Sequence, residues 1–125
     1  MEDFYFYTGI FAFAYSLVAG LQYYTYSGKN FLSAEDAKNK ISNKEINTVI
    51  DVRTLAEYDF GHYPDALHLP VSEISEDTTK MLNKEDTYLV YCNTGQRARY
   101  ASELLNNLGF ENVYYIPNDY TTILD

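Results

Sequence analysis

Four short apolar segments recur along the chain, separated by stretches with helical spacing. They cover residues 48–52, 66–69, 87–91 and 113–116, and most of their side chains are aliphatic or aromatic. Short apolar runs between turn residues are typical of buried strands, and their alternation with helices indicates parallel pairing. We therefore predict an α/β fold, in which a parallel sheet carries helices on both faces.

The helices that should cover this sheet begin and end at recognisable capping residues. Ser33 is the expected N-cap of a helix that runs to about Ile41, and Thr54 with Glu57 has the spacing of a capping box. A further helix is predicted over residues 98–108. Its apolar side chains fall on one face and Gly109 follows as its C′ residue: Ala101, Leu104, Leu105 and Leu108.

The beginning of the chain has a different pattern, because residues 4–28 contain no charged side chain. As a helix this segment would extend about 37 Å at ~1.5 Å per residue, which exceeds the ~30 Å hydrocarbon core of a bilayer. Tyrosines lie near both of its ends, as in the interfacial belts of membrane spans. We predict an N-terminal transmembrane anchor in residues 1–28 and the α/β domain in residues 29–125. The alternative is an apolar helix docked on the domain or lying in the membrane interface.

The charges that flank this segment predict its orientation. Glu2 and Asp3 precede it without a lysine or arginine, which argues against a cleaved signal peptide. Four lysines follow it: Lys29, Lys38, Lys40 and Lys44. The positive-inside rule then predicts a single-pass membrane protein whose domain faces the cytoplasm. Small residues at every fourth position would let two such helices pack as a homodimer: Thr8, Ala12, Ser16 and Gly20.

The net charge and the residue content argue against three features: a nucleic-acid partner, an intrachain disulfide and a metal site. The net charge is -9 and no basic patch stands out, which argues against a nucleic-acid partner. The single cysteine cannot form an intrachain disulfide, and no second thiol is present to resolve an oxidised state. The two histidines and the cysteine are far apart in sequence, so no metal-ligand spacing is present.

Cys92 directly follows the apolar segment 87–91 and precedes the helix predicted from Ala98. The intervening residues would surround the thiol beneath a helix N-terminus: Asn93, Thr94, Gly95, Gln96 and Arg97. Amide groups of such a loop and the helix dipole form a cradle that stabilises a thiolate. Taken alone, a lone cysteine that ends a strand is more often a small buried apolar side chain.

Two blocks of sequence favour a reactive Cys92 over a merely apolar one, because together they resemble the rhodanese-type sulfurtransferases. The first is the Cys-x-x-Gly-x-Arg loop of residues 92–97. The second contains, in order, residues 49–53, Glu57-Tyr58, Gly61-His62 and residues 66–70. Both blocks occur in the order and spacing of that family, and the resemblance covers residues 31–116.

The resemblance implies a sulfurtransferase without cofactor or metal. Cys92 would accept the outer sulfur of a donor such as thiosulfate as a persulfide and pass it to a thiol or to cyanide. The loop residues 93–97 would bind substrate. Asp51, Arg53 and Glu57 would support the site, with Arg53 and Glu57 paired across one helical turn.

Loop length separates sulfurtransferases from phosphatases of similar fold. The loop from Cys92 to Arg97 has six residues, as in the sulfurtransferases, whereas those phosphatases have one residue more. Arg97 either holds an anionic donor or points outward.

Two other functions stay open: a persulfide relay or redox sensor, and a non-catalytic interaction domain. Where many members have a Gly-Gly pair, residues 116–124 contain no glycine, which leaves the rim of the pocket undefined.

Overall fold

Four parallel strands form the sheet in the computed structural model, which describes residues 29–125. In chain order they are β1 (Thr48–Asp51), β2 (Leu67–His68), β3 (Tyr88–Tyr91) and β4 (Val113–Tyr115). Their order across the sheet is β2-β1-β3-β4, and every neighbouring pair is parallel. The predicted parallel α/β architecture is therefore confirmed, with strands that are a residue or two shorter than the apolar segments.

Within the described residues, four helices surround the sheet: α1 (Ala34–Ser42), α2 (Leu55–Phe60), α3 (Glu76–Thr79) and α4 (Gln96–Asn107). Short 3-10 turns occupy Val71–Glu73 and Tyr120–Ile123. The predicted caps are present, since Ser33 accepts from the Asp36 amide and Thr54 forms a full capping box with Glu57. The helix predicted from Ala98 begins earlier, at Gln96, because Gly95 in a left-handed conformation ends the preceding loop.

Strand β3 is buried on both sides, and its side chains alternate between two apolar cores. Tyr88 and Val90 face the core that contains Ala98, Ala101 and Leu105 of α4. Leu89 and Tyr91 face the opposite core, which contains Ala37 of α1 and Ile123. Because side chains alternate along a strand, Cys92 continues the series of residues 88 and 90 and lies on the α4 side.

The carboxyl ends of the central strands converge on one edge of the sheet. Asp51 ends β1 opposite Tyr91, the last residue of β3, and Val52 continues the pairing by donating its amide to the Tyr91 carbonyl at 3.2 Å. Cys92 follows Tyr91 directly. In parallel α/β sheets, sites form at this edge, so the fold brings Asp51, Arg53 and Cys92 to the expected place.

The predicted transmembrane helix and its small-residue stripe fall on residues 1–28, outside the residues that the structure describes. Within residues 29–125, no helix combines the length and the apolar character needed to cross a bilayer. The membrane anchor, its homodimer and the boundary at residue 28 stay predictions.

Candidate active site

The Cys92 thiol lies where β3 gives way to α4. Its Sγ accepts the Gly95 amide at an N···S distance of 3.2 Å and the Ala98 amide at 3.3 Å. Cys92 is only 1% exposed. The amide cradle expected from the loop and helix start is thus present, and it can hold negative charge on sulfur with fixed neutral dipoles.

Gly95 gives the loop the shape that this cradle needs. Its φ of 94° lies in the left-handed region, where a side chain is strained, and its carbonyl accepts the Arg99 amide at 2.8 Å as α4 begins. The neighbouring side chains of Thr94 and Gln96 are exposed and hydrogen-bond to each other. The loop therefore presents backbone amides to the sulfur and keeps these polar side chains outside.

A buried ion pair supports the loop from the other face of the sheet. Asp51 is fully buried and Arg53 is 5% exposed. Arg53 donates from Nε to Oδ1 at 3.0 Å and from Nη2 to Oδ2 at 2.6 Å, and the Tyr91 hydroxyl donates to the same Oδ2 at 2.6 Å. Burial raises the pKa of Asp51, but the hydrogen bonds from Arg53 and Tyr91 outweigh it and hold that pKa below its ordinary value.

The guanidinium of Arg53 joins several segments around the site. It lies 5.3 Å from the ring centre of Tyr91 and 5.4 Å from that of Tyr120, and it donates to the Gly61 carbonyl at 2.7 Å. It also reaches the Asn93 Oδ1 at 3.4 Å. Tyr120 belongs to the glycine-free C-terminal stretch, so this stretch closes one side of the site with an aromatic ring.

Glu57 does not pair with Arg53, contrary to the sequence-based expectation. Arg53 lies between the end of β1 and the Thr54 cap, where its backbone amide and its guanidinium both donate to Asp51 two residues earlier. Glu57 instead forms a two-pronged ion pair with Arg97 at 2.8 and 3.0 Å, and it accepts from Asn93 Nδ2 at 2.7 Å. Arg97 thus binds a carboxylate of α2, an alternative that sequence reasoning did not consider.

An open cavity of about 440 Å³ lies beside the cysteine loop, lined by Arg53, Ala56, Glu57, Phe60 and Asn93. Asn93 is the residue that follows Cys92, which places the cavity next to the thiol loop. Phe60 is 97% exposed. Sequence reasoning missed Ala56 and Phe60, because nothing in the local pattern distinguishes a site residue from an ordinary surface position on a short helix.

The two histidines both contact Tyr58 and bond to backbone carbonyls. His62 stacks on Tyr58 with ring centres 3.7 Å apart and donates from Nδ1 to the Tyr58 carbonyl at 2.8 Å. His68 stacks on the same ring and donates from Nε2 to the Arg53 carbonyl at 2.8 Å. In the described part of the chain, no three His, Cys, Asp or Glu side chains gather as metal ligands would.

Comparison with known proteins gives a consistent result. The family model of the rhodanese-like domain matches residues 33–124. The chain is 32% identical over 82 residues to YrkF of Bacillus subtilis (strain 168), which is named as a candidate sulfur carrier protein. That match covers 66% of this chain and 44% of YrkF.

Two further matches extend this likeness. The thiosulfate sulfurtransferase PspE of Escherichia coli (strain K12) is 37% identical over 65 residues, which is 51% of this chain and 62% of PspE. The chain thus spans less than two thirds of these curated relatives. A crystal structure of a rhodanese-related protein from Thermoplasma volcanium matches with a TM-score of 0.63 and 30% identity, over 74% of this chain and 87% of that one.

The ion pair of Glu57 with Arg97 predicts a specific dependence of stability on pH. The hydrogen bond from Arg97 is the main cause that lowers the pKa of Glu57 in the folded protein. The ion pair therefore makes its full contribution to stability above the unfolded-state pKa of Glu57, about 4.3. This contribution is lost as the pH falls toward the pKa of Glu57 in the folded protein. Glu57→Gln, which keeps a capping oxygen, should lower stability at pH 7 and reduce the loss of stability on acidification.

Urea unfolding at pH 7 and through the acid range, from about pH 5 to 2, measures this difference. Glu35→Gln is the matched control, because it removes one carboxylate from the first turn of α1. Indistinguishable acid profiles for Glu57→Gln and the wild type would contradict the prediction.

Proposed function

The chain belongs to the rhodanese-like family, and on that basis we propose that it transfers sulfane sulfur from a donor such as thiosulfate to a thiophilic acceptor through a persulfide on Cys92. The observation that carries the proposal is the pair of amides, from Gly95 and Ala98, that donate to Sγ. A buried cysteine that served only as an apolar side chain would not need two aligned N–H donors on its sulfur.

The first half-reaction follows from this geometry. The Cys92 thiolate attacks the outer sulfur of thiosulfate, so a new Sγ–S bond forms while the S–S bond of thiosulfate breaks. Sulfite leaves with the electron pair of that bond. The terminal sulfur of the persulfide then carries the negative charge, and the loop whose Gly95 and Ala98 amides donate to Sγ would stabilise it.

The second half-reaction restores the thiolate. A nucleophile such as cyanide attacks the terminal sulfur, the persulfide S–S bond breaks, and its electron pair returns to Cys92 Sγ as thiocyanate leaves. No proton and no external electron is required, so neither histidine is needed for this step; each bonds to a backbone carbonyl.

A persulfide relay is the second candidate. It is favoured by the 1% exposure of Cys92 and by the likeness to YrkF. A relay would form the same persulfide but would pass it to a protein acceptor and turn over small acceptors slowly. Rapid steady-state turnover with thiosulfate and cyanide favours the enzyme, whereas a stable persulfide with little turnover favours the relay.

We further propose that residues 4–28 tether the domain to a membrane, with residues 29–125 on the cytoplasmic side. Support comes from the uncharged segment, its terminal tyrosines and the lysines that follow it. A membrane-bound partner is then the natural source or recipient of the sulfur.

Cys92→Ser should abolish both persulfide formation and turnover, because a serine hydroxyl cannot hold a sulfane sulfur. Mass spectrometry after thiosulfate treatment should show one added sulfur atom on the wild type and none on the variant. Thiocyanate production measures turnover. Equal activity of the two proteins would contradict the proposal, and a folded wild type that never gains sulfur would indicate a non-catalytic interaction domain.

Gly95→Ala tests the amide cradle against its matched control, Gly109→Ala. Both glycines have similar left-handed φ values, 94° and 98°, so each substitution should cost a similar free energy of about 1–2 kcal/mol. Only Gly95→Ala displaces an amide from Sγ. We expect it alone to lower kcat/KM by at least about tenfold.

Urea unfolding and steady-state kinetics of both variants separate these effects. Equal activity losses in Gly95→Ala and Gly109→Ala would show that general destabilisation, and not the cradle, controls the rate.

The membrane tether is tested on the full chain with a C-terminal tag. The full chain should stay in the membrane fraction after an alkaline wash, and the tag should be reachable only from the cytoplasmic side. Replacing both Leu17 and Val18 by lysine, near the middle of the segment, should release the protein, since a charge at a helix centre costs about 2.5–3.5 kcal/mol for insertion. A full chain found in the soluble fraction would contradict the tether.

A further inference from the structure

Phe60 is placed unusually for an aromatic side chain. It ends α2, is 97% exposed, and lines the cavity that Ala56 and Asn93 also border. Asn93 directly follows Cys92 in the chain, so the cavity that this ring lines borders the cysteine loop. A ring in this position offers apolar area that a bound molecule can cover.

The charged groups around the cavity are paired with one another, so they do not favour a donor with two negative charges over a donor with one. The Arg53 guanidinium is held by buried Asp51, and that of Arg97 by both carboxylate oxygens of Glu57. The Glu57 carboxylate itself lines the cavity and remains ionised, because Arg97 lowers its pKa. Each cation near the cavity is therefore matched by an anion, and a donor with two negative charges gains little from the site.

We propose that the side of the cavity formed by Ala56 and Phe60 is a subsite for an aromatic group on the sulfur donor, and that Phe60 determines this preference. The inference rests on the proposed function and names its donor class: sulfane-sulfur compounds with one negative charge and an aryl substituent. Ring stacking or edge contact with Phe60 would hold the substituent while the terminal sulfur enters the cysteine loop.

The transfer from such a donor balances without a co-reactant. With benzenethiosulfonate, the Cys92 thiolate forms a bond to the terminal sulfur, the S–S bond of the donor breaks, and benzenesulfinate leaves with the electron pair. The product is the same Cys92 persulfide that thiosulfate would give.

Two thiosulfonates of equal charge provide the test. Benzenethiosulfonate and methanethiosulfonate react in the same way and differ in the aryl group, so the ratio of their kcat/KM values measures the subsite. We expect Phe60→Ser in the full chain to lower this ratio about tenfold, equivalent to about 1.4 kcal/mol of lost transition-state binding. Phe60→Tyr should keep most of the ratio, because it retains the ring.

Met81→Ser is the matched control, since Met81 is 89% exposed and does not border the cavity. Its ratio should equal that of the wild type. A ratio that Phe60→Ser leaves within about twofold of the wild type, less than ~0.5 kcal/mol, would overturn the subsite. Failure of every donor to place sulfur on Cys92 would instead overturn the proposed function.

Discussion

Two peptide N–H groups directed at one sulfur atom are the contact on which the site depends. Gly95 and Ala98 can both reach Cys92 Sγ because the loop turns through a left-handed glycine and α4 starts immediately afterwards. The same packing fixes the sulfur, since strand alternation directs Cys92 into the core beneath α4. The packing of α4 on β3 therefore stabilises the fold and also positions the thiol. A change that loosens this packing would also move the Gly95 and Ala98 amides away from the sulfur.

The opposite face of the sheet holds this arrangement in place. Asp51 and Tyr91 are paired neighbours on β1 and β3, so their side chains emerge on the same face and meet over Arg53. Arg53 then reaches Asn93 in the cysteine loop. Removing one partner of such a buried ion pair costs about 3–5 kcal/mol, because the other charge is left unpaired. The position of the cysteine loop thus depends on the network of Asp51, Arg53 and Tyr91, whose loss would strongly destabilise the fold.

The elements that local physics determines could be predicted from the sequence. Short apolar runs identified the strands, and capping residues such as Ser33 and Thr54 identified helix starts, because these signals depend on near neighbours. Contacts across the fold could not be predicted in this way. Arg53 was assigned to Glu57 by helical spacing, yet it lies between β1 and the cap, where its amide and its guanidinium bind Asp51. The partner of Glu57 lies on α4, far away in sequence.

The balance of charge at the site explains how a strongly acidic chain can hold an anionic sulfur. A net charge of -9 repels anions at long range, but salt screens exposed charges beyond about 8–10 Å. The amides of Gly95 and Ala98 act at 3.2 and 3.3 Å, inside a buried environment where dipoles interact strongly. Because those donors are neutral, negative charge on this sulfur can be stabilised without a cation beside it. Arg53 and Arg97 can instead serve as structural partners of Asp51 and Glu57.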